Sequence, residues 1–154
     1  MAKIDQRLAE LDIQLPAPGT PAGNYVPFVI TDKLVYISGQ VPRADGKVVF
    51  RGKLGAELDV TAGQAAARLC AINVLTQLKA ACDGNLDLVK RCVRLGGFVN
   101  SSPKFTDQPA VINGASDLIT AVFGEAGRHA RTAVGVAALP ADSAVEVDAI
   151  FELK

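Results

Sequence analysis

At 154 residues the chain has the length of one ordinary domain, enough to bury a core without disulfide or metal staples. Sixteen Lys plus Arg balance sixteen Asp plus Glu, so no net field draws the protein to nucleic acid or to an acidic membrane surface. Hydrophobic residues make up 49% and charged residues only 21%, a surplus that predicts apolar surface shared with another subunit.

A short amphipathic helix is predicted around Ile4 to Leu11. The first sixteen residues carry Asp5, Glu10 and Asp12 where a secretion signal needs an unbroken apolar run, and no later run is long enough to span a membrane, so the expectation is a cytoplasmic protein. Pro16 to Gly23, rich in proline and glycine, reads as a connector. The expected organisation is therefore residues 1–22 as N-terminal helix and connector, and residues 23–154 as the main domain.

Tyr25 to Ile30 and Leu34 to Val41 read as paired strands joined through Thr31, Asp32 and Lys33, the second buried on both faces or at least well covered. A turn at Ala44-Asp45-Gly46 leads to a brief strand, Lys47 to Phe50. From Thr61 to Cys82 there is no proline, alanine is abundant, and Ala67, Ala71, Val74, Leu75 and Leu78 recur at helical spacing. Asp59 or Thr61 supplies a start for this helix and Asp83-Gly84-Asn85 a stop. Val89 to Asn100 reads as a strand bent or bulged by Gly96-Gly97. A second long helix begins near Asp107 with Pro109 in its first turn, carries Val111, Ala115, Leu118, Ile119 and Val122 on one stripe, and ends at Gly124. Thr132 to Leu139 and the alternating run from Val145 to Leu153 read as a hairpin turned at Pro140 to Ser143. The order predicts an α+β domain of two layers, both long helices on one face of a mixed sheet.

No nucleophile elbow, paired-histidine zinc signature, Walker loop or dinucleotide fingerprint occurs. Cys70, Cys82 and Cys92 form no C-x-x-C pair, and with His129 the only histidine, no metal centre is expected. Gly127 to Val134 sets Arg128, His129 and Arg131 between a helix end and an apolar strand. An arginine at the mouth of a strand can hold a carboxylate through two parallel hydrogen bonds, or can simply pair with surface acids. His129 has a bland reading too, a hydrogen-bonded loop histidine. Glu146 could orient or deprotonate water, yet Asp148 and Glu152 share its polar face and periodicity does not separate the three.

Ser38-Gly39-Gln40-Val41-Pro42, followed by Ala130-Arg131-Thr132-Ala133-Val134, Ala137-Ala138-Leu139-Pro140 and Val145-Glu146-Val147-Asp148-Ala149-Ile150, resembles the reactive intermediate deaminase family (RidA, also called YjgF or endoribonuclease L-PSP). The resemblance runs from about Gly23 to the C-terminus and implies a chorismate mutase-like fold with a six-stranded mixed sheet. It also implies a homotrimer with small-molecule sites between subunits, and cofactor-free hydrolysis of enamines or imines such as 2-aminoacrylate to 2-keto acids and ammonia. On it, Arg131 matches the arginine that grips the substrate carboxylate and Glu146 the glutamate that handles water. Tyr25 matches a rim tyrosine, Gly39 a pocket backbone position and Asn113 an asparagine on the second long helix.

The chain also departs from the family. Ala133 stands where many members have cysteine, leaving only its backbone N–H to contribute, and His129 and Arg128 bring extra polar groups to the pocket edge. In these respects the chain resembles a separate bacterial branch. Two other functions are implied as alternatives: a trimer that binds keto acids without turnover, and the endoribonuclease or translation initiation inhibitor activity attached to the family name. Zero net charge and 5% aromatic residues speak against RNA as a partner.

Overall fold

The computed structural model describes residues 1–154. In chain order the elements are α1 (Lys3–Glu10), β1 (Phe28–Thr31), β2 (Leu34–Gln40), β3 (Arg43–Ala44), β4 (Lys47–Val48), α2 (Val60–Ala81), β5 (Val89–Asn100), α3 (Gln108–Phe123), β6 (Ala130–Val136) and β7 (Val145–Leu153). Short 3₁₀ turns precede β5, follow α3 and precede β7. No helix is long and apolar enough to cross a membrane.

Five strands form one mixed sheet in the order β1-β2-β7-β5-β6, while β3 and β4 form a separate two-stranded ribbon. The sheet thus has five strands rather than the expected six, because the Lys47 strand pairs only with its own hairpin partner. The last two strands are not a hairpin either. β6 runs parallel to β5 at the sheet edge, and β7 lies antiparallel between β5 and β2. β5, α3 and β6 make a crossover unit, which requires a helix to return the chain for parallel pairing.

α2 and α3 pack on one face of the sheet and against each other. Asp59 caps α2 by accepting the Ala62 N–H at 2.8 Å, satisfying one of the orphan donors of the first turn. The facing core comes from alternate strand residues, with Val145, Val147, Ala149 and Phe151 of β7 buried beneath the helices. The opposite face is uncovered: Val29, Tyr36 and Val134 are 53%, 42% and 39% exposed. β2 is therefore covered on one face only. The bulges of β5 lie between Val89 and Arg94 and not at the glycines. Gly97 instead admits α3, since a Cβ there would stand 2.5 Å from Ile112 Cγ1.

α1 is fastened to this body. Its first N–H groups, on Lys3 and Ile4, donate to the Asp87 carboxylate, each at 2.8 Å, and Asp5 pairs with Lys79 at 2.8 Å. Those backbone donors hold the Asp87 carboxyl below its ordinary range.

Candidate functional site

Arg131 lies near the start of the edge strand β6, in register with the buried Leu95 of β5, so its side chain turns toward α3. There Nη1 donates to Asn113 Oδ1 at 2.8 Å and to Ser116 Oγ at 3.1 Å, while Nη2 lies 3.4 Å from the Pro109 carbonyl. All three acceptors are neutral, and Arg131 takes part in none of the ion pairs of the chain. Nη1 spends both its N–H groups on α3. Nη2 gives one N–H to the Pro109 carbonyl, so Nε–H and the second Nη2–H remain for a planar anion.

His129 sits two residues upstream. Its Nε2 is 2.9 Å from Ser116 Oγ and its Nδ1 is 2.6 Å from the Gly127 carbonyl. Both ring nitrogens are thus occupied within the chain. Ala133 follows Arg131 on the same side of β6, its methyl packed against the core.

Glu146 belongs to a different face. Its chain neighbours Val145 and Val147 are buried under the helices, so the alternation of β7 turns Glu146 toward the uncovered side, in register with Phe98. Its carboxylate lies against the backbone of Gly39: a Cβ there would be 2.9 Å from the Glu146 carboxyl carbon. Burial first, and the neighbouring Asp148 charge second, push the Glu146 carboxyl above its ordinary pKa. Gly39 and the half-exposed Tyr25 line one cavity of about 610 Å³, closed by the Pro16 to Ala22 connector and by Asn73 of α2.

The expected residues therefore fall into two groups. Arg131, Asn113, His129 and Ala133 gather between β6 and α3. Glu146 of β7 lies against Gly39 of β2, and Tyr25 shares with Gly39 a cavity that Glu146 does not line. With β5 between their strands and three residues of offset, Arg131 and Glu146 of one chain are separated by about 14 Å on opposite faces. Ser116 was not among the expected residues, although Pro109, Asn113 and Ser116 share one helical face at spacings of four and three.

A sheet with two helices on one face and these motifs in this order fits one family model, described as "YjgF/chorismate mutase-like, putative endoribonuclease", which matches residues 5–153. The chain belongs to the YjgF family. Within it, Protein TCP17 of Trypanosoma cruzi is 56% identical over 152 residues, covering 98% of this chain and 94% of that protein. This form of the YjgF chain thus occurs outside bacteria as well. The crystal structure of Atu1372 from Agrobacterium tumefaciens, described as of unknown function, is 50% identical with a TM-score of 0.90, covering 98% of this chain and 93% of that one. The structure of E. coli TdcF with bound serine is 25% identical with a TM-score of 0.64, covering 92% and 96%. The YjgF fold is therefore the fold of this chain.

Proposed function

We propose that this YjgF protein is a cofactor-free hydrolase of small enamine or imine carboxylates, acting as a homotrimer whose sites lie between subunits. The observation that carries the reading is Arg131 itself, a cation with no acidic partner, held by three neutral acceptors on α3 and with Nε–H and one Nη2–H left over. The uncovered sheet face supplies apolar surface for assembly. Two subunits are needed because Arg131 and Glu146 of one chain stand too far apart to touch one small substrate. The serine bound by TdcF is a small carboxylate of the class that such a cation fits.

The chemistry asks little of the protein. An imine carbon is already electrophilic, and Arg131 would hold the adjoining carboxylate through two parallel N–H···O bonds. Glu146 from the neighbouring subunit would take a proton from water as its oxygen bonds to that carbon, and return it to the imine nitrogen to give a carbinolamine. It would then carry the proton of the new hydroxyl to the amine nitrogen, so that the C–N bond breaks, ammonia leaves and the carbonyl forms. One imine and one water give one 2-keto acid and one ammonia. The raised Glu146 carboxyl suits a general base working nearer neutrality than an ordinary glutamate.

The family description names an endoribonuclease. RNA cleavage commonly needs a free imidazole or a cationic groove, whereas the single imidazole here is engaged on both nitrogens. The deciding experiment follows hydrolysis of 2-iminopropionate, formed from 2-aminoacrylate, by wild type, Arg131→Ala and Glu146→Gln, beside calorimetric binding of 2-ketobutyrate. Arg131→Ala should lose both binding and hydrolysis, and Glu146→Gln should lose hydrolysis alone. Binding without hydrolysis in the wild type would favour a non-catalytic keto-acid trimer.

A further inference from the structure

The orientation of Arg131 is set by a chain of hydrogen bonds that ends on main chain. The Gly127 carbonyl can only accept, so the 2.6 Å contact places a proton on His129 Nδ1. In the neutral ring Nε2 is then an acceptor, and the one partner within reach is the Ser116 hydroxyl at 2.9 Å. With its hydrogen committed to His129, Ser116 Oγ turns lone pairs toward Arg131 Nη1 at 3.1 Å. The far end is rigid: Gly127 is buried against α3, where a Cβ would stand 2.9 Å from Thr120 Cα and 3.0 Å from the Ile119 carbonyl carbon. The chain therefore links the turn after α3, the start of β6 and the exposed face of α3 in one direction of donation.

We infer that Ser116 and His129 are positioning residues that act through Arg131, aiming its Nε and Nη2 edge at a carboxylate held at the subunit boundary. The inference rests on the proposed function for the identity of the ligand, and on the hydrogen-bond geometry for the positioning. Without His129 the Ser116 hydroxyl is free to rotate, and the guanidinium keeps only Asn113 and the longer bond to the Pro109 carbonyl as fixed anchors. Both lie toward one end of the guanidinium contact with α3, so the guanidinium is held less firmly without Ser116. The hydrogen bonds of both residues end on Arg131 and on main chain, so each should alter affinity for the carboxylate and leave the chemical step alone.

The test uses the full-length protein as Ser116→Ala, His129→Ala, the double Ser116→Ala/His129→Ala, His129→Gln and His129→Asn. Calorimetry measures 2-ketobutyrate binding, and steady-state kinetics measures 2-iminopropionate hydrolysis. Each alanine variant should raise Kd and KM about tenfold with kcat within twofold, the scale of one bond to a charged group felt indirectly. Because the two act in series, the double variant should be no worse than the poorer single. His129→Gln, whose amide oxygen can reach Ser116, should recover affinity, and the shorter His129→Asn should not. Additive losses, or unchanged affinity in both alanine variants while Arg131→Ala abolishes binding, would overturn the inference and leave the proposed function standing. If Arg131→Ala binds 2-ketobutyrate as well as wild type does, or wild type does not bind it, the proposed function fails instead. Crystal structures of wild type and His129→Ala then decide the positioning role: a displaced guanidinium supports it and an unmoved one overturns it.

Discussion

The Glu146 carboxylate rests on the bare backbone of Gly39, with its carboxyl carbon 2.9 Å and its Cγ 3.2 Å from where a Cβ would project. β2 and β7 are in register along Leu34 to Ile37 and slip before Gln40 meets Val147. That irregularity brings a residue without a side chain beneath the carboxylate. The glycine is there to admit the acid, and its backbone φ is not in the left-handed region.

Gly39→Ala therefore tests where Glu146 must stand. The clash involves the far end of a flexible side chain, so the fold can absorb it and the thermal midpoint should stay within a few degrees of wild type. Glu146 must move, however, and misplacing a catalytic group by about 1 Å can cost about 100-fold in rate. We expect kcat for 2-iminopropionate to fall by about that factor while 2-ketobutyrate affinity stays within about threefold of wild type. A variant as fast as wild type would remove Glu146 from the reaction.

The same carboxylate predicts a pH dependence. A base must be deprotonated, so kcat/KM should fall on the acid side with an inflection above 4.5, the ordinary glutamate value, because burial and then Asp148 raise the Glu146 pKa. Asp148→Asn removes the second cause and should move that limb to lower pH without eliminating the shift. Stability carries the matching sign. The folded carboxyl holds its proton more tightly than the unfolded one, so the folded state binds more protons between the two pKa values. Stability should decline as pH rises through that window, and Glu146→Gln should flatten the slope, as read from urea midpoints at several pH values.

Local signals carried far in this chain and pairing signals did not. The proline-free alanine-rich run with Asp59 before it and Asp83-Gly84 after it placed α2 to within a residue at each end, because capping and helical spacing are local. Strand β5 matched its expected span for the same reason. The hairpin expected of the last two strands failed because the alternation of Val145 to Leu153 states which face is buried and not which strand lies alongside. β5 has inserted between them, and only the crossover through α3 explains why. The candidate site divides likewise. Arg131 was a candidate by its place at the mouth of an apolar strand, and Glu146 was separated from Asp148 and Glu152 only by the family resemblance, whereas Ser116 looked like any helix serine until Arg131 and His129 were brought to either side of it.

The cysteines should be chemically silent in the folded protein. Cys70 and Cys92 are fully buried and Cys82 is 2% exposed. Burial raises all three thiols, Cys92 to about 12 and Cys70 well above its ordinary value, with Glu146 adding to the shift at Cys70. A thiol with a pKa near 12 is ionised to about one part in ten thousand at pH 8, and the thiolate is the nucleophile. An aromatic disulfide reagent at pH 8 should modify none of the three in native buffer and all three in denaturant. Fast native labelling of any one would mean that its element opens readily. The result also bears on the site, since no thiol near Ala133 is then available for covalent chemistry.

The division of Arg131 and Glu146 between two faces makes a prediction that a site within one chain cannot satisfy. In a trimer with three equivalent interfaces, each site would draw Arg131 from one copy and Glu146 from the next. Arg131→Ala and Glu146→Gln homotrimers should both be inactive. Unfolded together in equal amounts and refolded, they form mixed trimers in which a site is intact only when an Arg131-bearing copy meets a Glu146-bearing copy in the right order. Random assortment makes that about one site in four, so about a quarter of wild-type hydrolysis should return. The controls are each variant refolded alone, and mixing of the native trimers without unfolding, which should restore nothing on the time scale of the assay. Sedimentation should show the same trimer in every sample. If the refolded mixture stays inactive while both variants assemble normally, Arg131 and Glu146 do not serve one site across the interface, and the shared-site reading falls.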